Sequence, residues 1–82
     1  AGTTITYNVP NASSDQIHVK LEVYDLQGRL IKTLVNGSTQ PGQHQAVWDG
    51  SADNGRVTSS GVYFYRLQAG SFVETRRMIM LK

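Results

Sequence analysis

The 82-residue chain contains no cysteine, so neither disulfide bonds nor cysteine-ligated metal sites can reinforce its fold. No apolar run approaches the ~18 residues of a membrane-spanning segment. The N-terminus also lacks the basic start and apolar core of a signal peptide. No stretch keeps the 3.6-residue apolar period of an amphipathic helix. We therefore expect a small domain without helices, which depends on another segment if it is exported.

Charged and catalytic residues are also sparse. The formal net charge is +2, from eight basic and six acidic residues, which is too small to indicate nucleic-acid binding by itself. His18 and His44 are the only two imidazoles. There is no Gly-x-Ser-x-Gly nucleophile elbow and no phosphate-binding glycine loop. We expect a non-enzymatic domain with no cofactor and no nucleic-acid partner.

One acidic loop, 49–55, is a candidate for cation binding. Asp49, Ser51 and Asp53 occupy positions 1, 3 and 5 of a calcium-binding loop. Position 6 is Asn54 instead of glycine, and position 12 is serine instead of glutamate. We therefore expect no metal here and interpret the loop as a hydrogen-bonded turn. A weak cation site on Asp49 and Asp53 is left open.

Alternating apolar and polar residues predict short antiparallel strands at 3–9, 17–23 and 43–48. A further run at 30–35 has no clear buried face, and 56–60 has room for a short edge strand. Turn signals separate these segments, among them Asn36-Gly37 and Pro41-Gly42. Six or seven short strands with such spacing predict a β-sandwich or a small barrel.

The inward positions of these strands form the expected core. A chain of this size buries roughly 60–65% of its unfolded surface, so its stability should lie near ~5–8 kcal/mol. The expected core residues are Ile5, Tyr7, Val19, Leu21, Val23, Trp48, Tyr65 and Leu67.

The last 22 residues, 61–82, predict a β-hairpin whose turn contains Gly70. Its second strand ends in four apolar residues, Met78–Leu81. Because neighbouring residues of a strand point to opposite faces, both faces are apolar there. Either Val73, Ile79 and Leu81 point inward while Phe72, Met78 and Met80 point outward, or the reverse holds.

The outward row of this strand needs a partner. Fully exposing three such side chains forfeits roughly 1.5–3 kcal/mol each. Either an upstream domain or the N-terminal segment covers the row, or the row is a recognition site. A recognition site would use the side chains themselves or the unpaired backbone edge of the strand.

Several motifs along the chain resemble a known family. They are T-T-I-T-Y-N-V-P (3–10), V-Y-D-L-Q-G-R (23–29), P-G-Q-H-Q-A-V-W-D-G (41–50), S-G-V-Y-F-Y-R-L (60–67) and T-R-R-M-I-M-L-K (75–82). Together they resemble the C-terminal sorting domain of proteins exported by the type IX secretion system. They are also similar to the Ig-like domain of the flagellar hook-capping protein, which shares the W-D-G and G-x-Y landmarks.

The resemblance implies an all-β, Ig-like antiparallel sandwich of about seven short strands, formed by residues 1–82 as a single domain. It also implies that the domain ends a larger secreted protein and is its sorting signal. The expected partners are secretion-machinery proteins at the outer membrane and a covalently linked cargo domain, and a monomer is expected. The expected location is the periplasm in transit, then the cell surface or the medium.

The recognition residues are assigned partly by the resemblance and partly by the outward-row argument, which adds Phe72. They are Gly61, Val62, Tyr63, Gly70, Phe72, Arg76, Arg77, Met78, Met80 and Lys82. Two features keep other interpretations open. The Asn-Pro-Phe-type segment that commonly precedes the first strand is missing, and the loop 49–55 is closer to the hook-capping version. A structural Ig-like module, of hook-capping, spacer or carbohydrate-binding type, is therefore the alternative.

Overall fold

The computed structural model describes residues 2–10 and 16–81. Within them lie six strands and no helix, so no helix there can cross a membrane. The strands are β1 (Thr3–Val9), β2 (Ile17–Tyr24), β3 (Leu30–Thr39), β4 (Gly42–Trp48), β5 (Gly61–Ala69) and β6 (Phe72–Met80).

The strands form two antiparallel sheets that enclose a common core. β1 and β4 form a two-stranded sheet, and the other strands form a four-stranded sheet in the order β3-β2-β5-β6. The all-β sandwich prediction is confirmed, with six strands where about seven were expected. The strand expected at 56–60 is reduced to one isolated bridge between Ser51 and Val57, because the loop around it bonds mostly to itself.

The core follows from strand alternation. All eight residues expected in it are buried, and Val9, Tyr63, Ala69 and Met80 join them. One cluster centres on Leu21 and Leu67, and a second contains Trp48, Tyr63 and Met80. The Trp48 and Tyr63 rings meet edge to face, with centroids 4.9 Å apart. The two sheets are therefore held together by the Trp48–Tyr63 contact at one end and by a mixed aliphatic and tyrosine cluster at the other.

β3 is longer than expected and has two irregularities in its pairing with β2. The partner of Leu21 is Val35 and the partner of Glu22 is Thr33, so Leu34 is an extra residue. The next pairs, Val23 with Lys32 and Tyr24 with Leu30, leave Ile31 unpaired in the same way. Both extra residues pack against the core. These bulges break the simple alternation, which explains why the run 30–35 showed no clear buried face.

The turn expected at Asn36-Gly37 does not exist. Gly37 instead pairs with Val19 in the middle of a ladder that continues to Thr39. β2 extends to Ile17 and offers backbone partners to this segment. Sheet hydrogen bonds therefore override the local turn preference.

The β5–β6 hairpin is closed by the two residues Gly70 and Ser71. Gly70 has a φ of 60°, and the following Ser71 is not among the described residues with a positive φ, which matches a type II′ turn. This short loop pairs Ala69 with Phe72 and fixes the whole register, so that Tyr63 lies opposite Met78. Cross-strand partners share a face of the sheet, so Met78 points inward with Tyr63.

Gly70→Ala is expected to lower the free energy of unfolding by about 1–2 kcal/mol, because alanine is strained in the left-handed conformation. An added Cβ would also lie 2.9 Å from Ile17 Cδ1, a flexible atom that can move. Gly37→Ala is the control, since Gly37 lies within β3 and an added Cβ meets nothing within 4 Å. Urea unfolding of both variants measures the difference. Equal effects at the two positions would contradict the assignment of strain to Gly70.

Candidate interaction surface

β6 is an edge strand of the four-stranded sheet. At its end, Thr3 Oγ1 donates a 3.4 Å hydrogen bond to the carbonyl oxygen of Ile79, which ties β1 to this edge. Among the described strands, none pairs with the rest of the edge. An unpaired edge is a template for strand addition.

The opposite edge, on β3, is covered near its start. The backbone N–H of Asp53 donates to the Ile31 carbonyl at 2.9 Å, and the Asp53 carboxylate accepts from the Thr33 N–H at 3.2 Å. The loop after β4 therefore occupies the β3 edge at this point. The two edges of the same sheet differ in accessibility.

The structure decides between the two faces of β6. Met80 is 1% exposed and Met78 packs against both core clusters. Ile79 is 61% exposed and Leu81 72% exposed. The outward row is therefore the one with Val73, Ile79 and Leu81, and the apolar run has one face in the core and one in solvent.

This result corrects several recognition assignments. Tyr63, Met78 and Met80 were assigned as recognition residues, but their side chains are buried or packed in the core. The Tyr63 hydroxyl donates to the Ser59 carbonyl at 2.7 Å, which is a structural bond. The reason is the hairpin register, which turns the even-numbered residues at the end of β6 inward.

The other predicted recognition residues lie in different settings. Phe72 is exposed, although its partner Ala69 is buried. Arg76 and Arg77 are exposed, and the Arg76 guanidinium forms an ion pair with the Glu74 carboxylate at 3.2 Å.

The recognition residues predicted outside β6 lie at the start of β5 and in the turn. Val62 is half-buried opposite Ile79 and follows Gly61, and Gly70 forms the turn. Lys82 lies outside the described residues. The structure therefore brings together Val62, Arg77 and the exposed Ile79.

The outer face of the four-stranded sheet carries a second group that the sequence did not single out. Tyr24 pairs with Phe64, which in turn pairs with Arg77, so the three side chains share this face. Arg66 follows Phe64 on the same face and lies opposite Glu22. The available signal was the run Val62–Tyr65, which is apolar on both faces just as the end of β6 is.

Glu22 is buried on this outer face, with 8% of its surface exposed. Its Oε1 accepts a 2.8 Å hydrogen bond from the Tyr24 hydroxyl. Partial burial raises the pKa of Tyr24, the Glu22 carboxylate raises it further, and Arg66 acts in the opposite direction. Glu22, Tyr24 and Arg66 therefore form one electrostatically linked group.

The β2–β3 turn borders this face and is organised by Asp25. The Asp25 carboxylate accepts the N–H groups of Gln27 and Arg29, both at 2.9 Å, and the Arg29 Nε–H at 2.8 Å. Gly28 takes a φ of 85°, as a three-residue hairpin loop requires. The Arg29 backbone bond is the main reason that the pKa of Asp25 lies below its ordinary value.

The stability of Asp25→Asn is expected to depend on pH less than that of the wild type. A carboxyl whose pKa is lower in the folded state stabilises the fold above its unfolded pKa of about 3.9, and this contribution is lost as the pH falls through the folded value. The difference in Tm between the two proteins should be largest at about pH 6 and should disappear as the pH falls below about 4. Thermal melts followed by circular dichroism measure it. A gap that stays constant down to about pH 2 would contradict the assignment.

The carboxylates of the candidate cation loop bond to separate partners. Asp49 Oδ1 accepts from the Ser51 N–H and hydroxyl, at 2.9 and 2.6 Å, which lowers the pKa of Asp49. Asp53 is bound to β3, as described above. No group of three or more acidic, histidine or cysteine side chains within 2–10 and 16–81 is arranged for a metal. Each of the two carboxylates thus has a role in organising the loop.

The two histidines lie apart. His18 is exposed, while His44 stacks on Tyr7 with ring centroids 5.7 Å apart. His44 Nε2 is also 2.7 Å from the Gln40 carbonyl. Both contacts of His44 anchor the start of β4, which gives this imidazole a structural role.

A family model described as the FlgD Ig-like domain matches residues 1–71 of the chain. This range contains β1 to β5 and ends in the hairpin turn, so β6 lies outside it. No curated protein and no solved structure gives a significant match.

Proposed function

Because the chain belongs to the FlgD Ig-like domain family, we propose that it is a non-catalytic structural module of a larger protein. Its task in this proposal is to space or present the segments linked to it. The match over residues 1–71, which includes five of the six strands and most of the core, carries the proposal. The roles of three carboxylates support it, since Asp25 and Asp49 hold turns together and Asp53 binds its loop to β3.

The test of this proposal is to place the chain between two folded reporter domains and, separately, at the end of one reporter. A spacer module is expected to unfold at the same temperature in both positions and to keep the reporters active. Calorimetry of the fusions measures the transition. A module that folds in only one of the two positions would contradict a spacer role.

A second candidate function is the type IX sorting signal, read by secretion-machinery proteins at the outer membrane. The observation that favours it is the segment 72–81, which lies outside the family match. It contains β6, with the exposed Ile79 beside Arg77, and the exposed Leu81 that follows β6. In this proposal a linked cargo passes through the periplasm and is then delivered to the cell surface or the medium.

Ile79→Glu in a cargo fusion is the sharp test of the sorting candidate, in a host that has this system. Retention of the cargo in the periplasm is expected, because the substitution puts a charge in the accessible row. Val47→Glu is the matched control, since Val47 is 65% exposed on the other sheet and Ile79 is 61% exposed. Delivery of the Ile79 variant at the wild-type level would refute a sorting role for this row.

A further inference from the structure

The outer faces of the two sheets differ in composition. The outer face of β1 and β4 is polar, with Thr4, Thr6 and Gln45 exposed on it and Val47 as its exposed large apolar side chain. The outer face of the four-stranded sheet is covered by neither β1 nor β4 and carries an apolar group. We call this group, together with one residue of the bordering β2–β3 turn (Leu26), the outer patch: Tyr24, Leu26, Val62, Phe64 and Ile79.

The outer patch contains a cleft. Tyr24, Leu26 and Phe64 line it together with Arg66, and its volume is about 320 Å³. This size lies at the lower end of ligand pockets, and suits one or two large side chains better than a drug-sized molecule. The adjacent pair of Val62 and Ile79 extends the apolar surface toward the open edge of β6.

The accessible charge around the outer patch is positive. Two carboxylates lie near it, and both are engaged: Glu22 is buried and bound by Tyr24, and Asp25 is bound by the N–H groups of its own turn. Arg66 and Arg77 are both exposed next to Phe64: Arg66 lies two residues further along β5, and Arg77 lies opposite Phe64 on β6. No ion pair of Arg77 occurs among residues 2–10 and 16–81.

We propose that the outer patch binds an extended segment of a partner protein that is both acidic and apolar. Along β5 the facing residues are Arg66, Phe64 and Val62, each two positions from the next. Facing side chains of an extended segment recur at the same interval, about 6.5–7 Å. The matching segment therefore has a carboxylate, then large apolar side chains two and four residues away, with its middle side chain in the cleft.

This inference adds a partner chemistry to the proposed module role and does not depend on secretion. It concerns binding of a peptide segment to the face of the four-stranded sheet, whereas the sorting test measures delivery of a cargo by a host system. The two can therefore fail separately.

The experiment is a titration of the 82-residue chain with the capped peptide S-E-S-F-S-L-S, followed by amide NMR shifts. Shifts are expected at Phe64, Arg66 and Ile79. The peptide S-K-S-F-S-L-S should bind about tenfold more weakly, because it replaces an attraction to arginine with a repulsion. Arg66→Glu should reverse this preference, while Val47→Glu should leave it unchanged.

Several outcomes would overturn the proposal. They are no shift up to about 5 mM peptide, equal binding of the two peptides, or shifts confined to β1 and β4. Shifts on the outer patch with cellohexaose and none with the acidic peptide would assign it to a glycan. Shifts that change with protein concentration in the absence of any peptide would mean that the outer patch binds a second copy of the chain. If Arg66→Glu does not fold, Arg77→Glu must give the same reversal.

Discussion

Trp48→Ala is expected to lower the free energy of unfolding by about 3–5 kcal/mol, which is comparable to the whole stability of a domain of this size. The Trp48 side chain is fully buried, and it is the largest in the core. Its removal leaves a cavity beside Tyr63 and Met80. It also removes the 2.9 Å hydrogen bond from Nε1 to the Ser51 carbonyl, which holds the loop after β4. The variant should therefore be largely unfolded without denaturant.

Circular dichroism must measure this effect, because the variant loses the only tryptophan of the chain. Val47→Ala is the control, since Val47 is 65% exposed and should change stability by no more than about 0.5 kcal/mol. Trp48→Phe separates the two contributions: it keeps a ring against Tyr63 but loses the bond to Ser51. A loss near 1–2 kcal/mol is expected for it. If Trp48→Ala has the same free energy of unfolding as the Val47 control, the Trp48 side chain is not packed in this core.

Met80→Glu and its neighbour Ile79→Glu are expected to behave in opposite ways. Met80 is 1% exposed and Ile79 61% exposed. A carboxylate at position 80 would be buried without a partner, so a loss of at least about 3 kcal/mol is expected. At position 79 the carboxylate stays in water, and the change should remain within about 1 kcal/mol.

Urea unfolding of the two variants is the measurement, because it reports both the midpoint and the slope. Met80→Leu is a control that keeps the volume and the apolar character, and it should cost less than about 1.5 kcal/mol. The reverse ranking, with Ile79→Glu the more damaging, would mean that β6 presents its other face to the core. That result would also restore Met78 and Met80 as accessible residues.

Where the pattern was regular, the sequence predicted the fold well. β2 alternates from Ile17 to Val23, and its apolar residues Val19, Leu21 and Val23 are all fully buried. Trp48 was placed in the core because β4 is a short strand whose opposite face is mostly polar. These elements have one apolar face each, so local pattern and tertiary packing agree.

β3 could not be read in this way because two bulges shift its alternation. Leu34 and Ile31 are the extra residues of these two bulges, and both pack against the core. Asn36-Gly37 has the composition of a turn, but its conformation is decided by hydrogen bonds to a strand that is distant in sequence. Non-local pairing of this kind leaves no local signal.

The faces of β6 were predictable in principle. With a two-residue loop at Gly70-Ser71, Tyr63 must lie opposite Met78, and the inward position of one determines the other. The sequence predicted a turn that contains Gly70 but did not fix the length of this turn, which left the register open. The outer patch was missed because, within the run 62–65, Val62 and Tyr63 were assigned to recognition and Tyr65 to the core, while Phe64 was assigned to neither.

The covering of the β3 edge by Asp53 has a consequence for self-association of this module. A β-sheet with two free edges can add copies at both ends and grow into a fibre. Here the four-stranded sheet is blocked at one end near Ile31–Thr33 and open at β6. Two copies joined β6 to β6 through this sheet would occupy both β6 edges, and further growth would be confined to the part of β3 beyond Thr33.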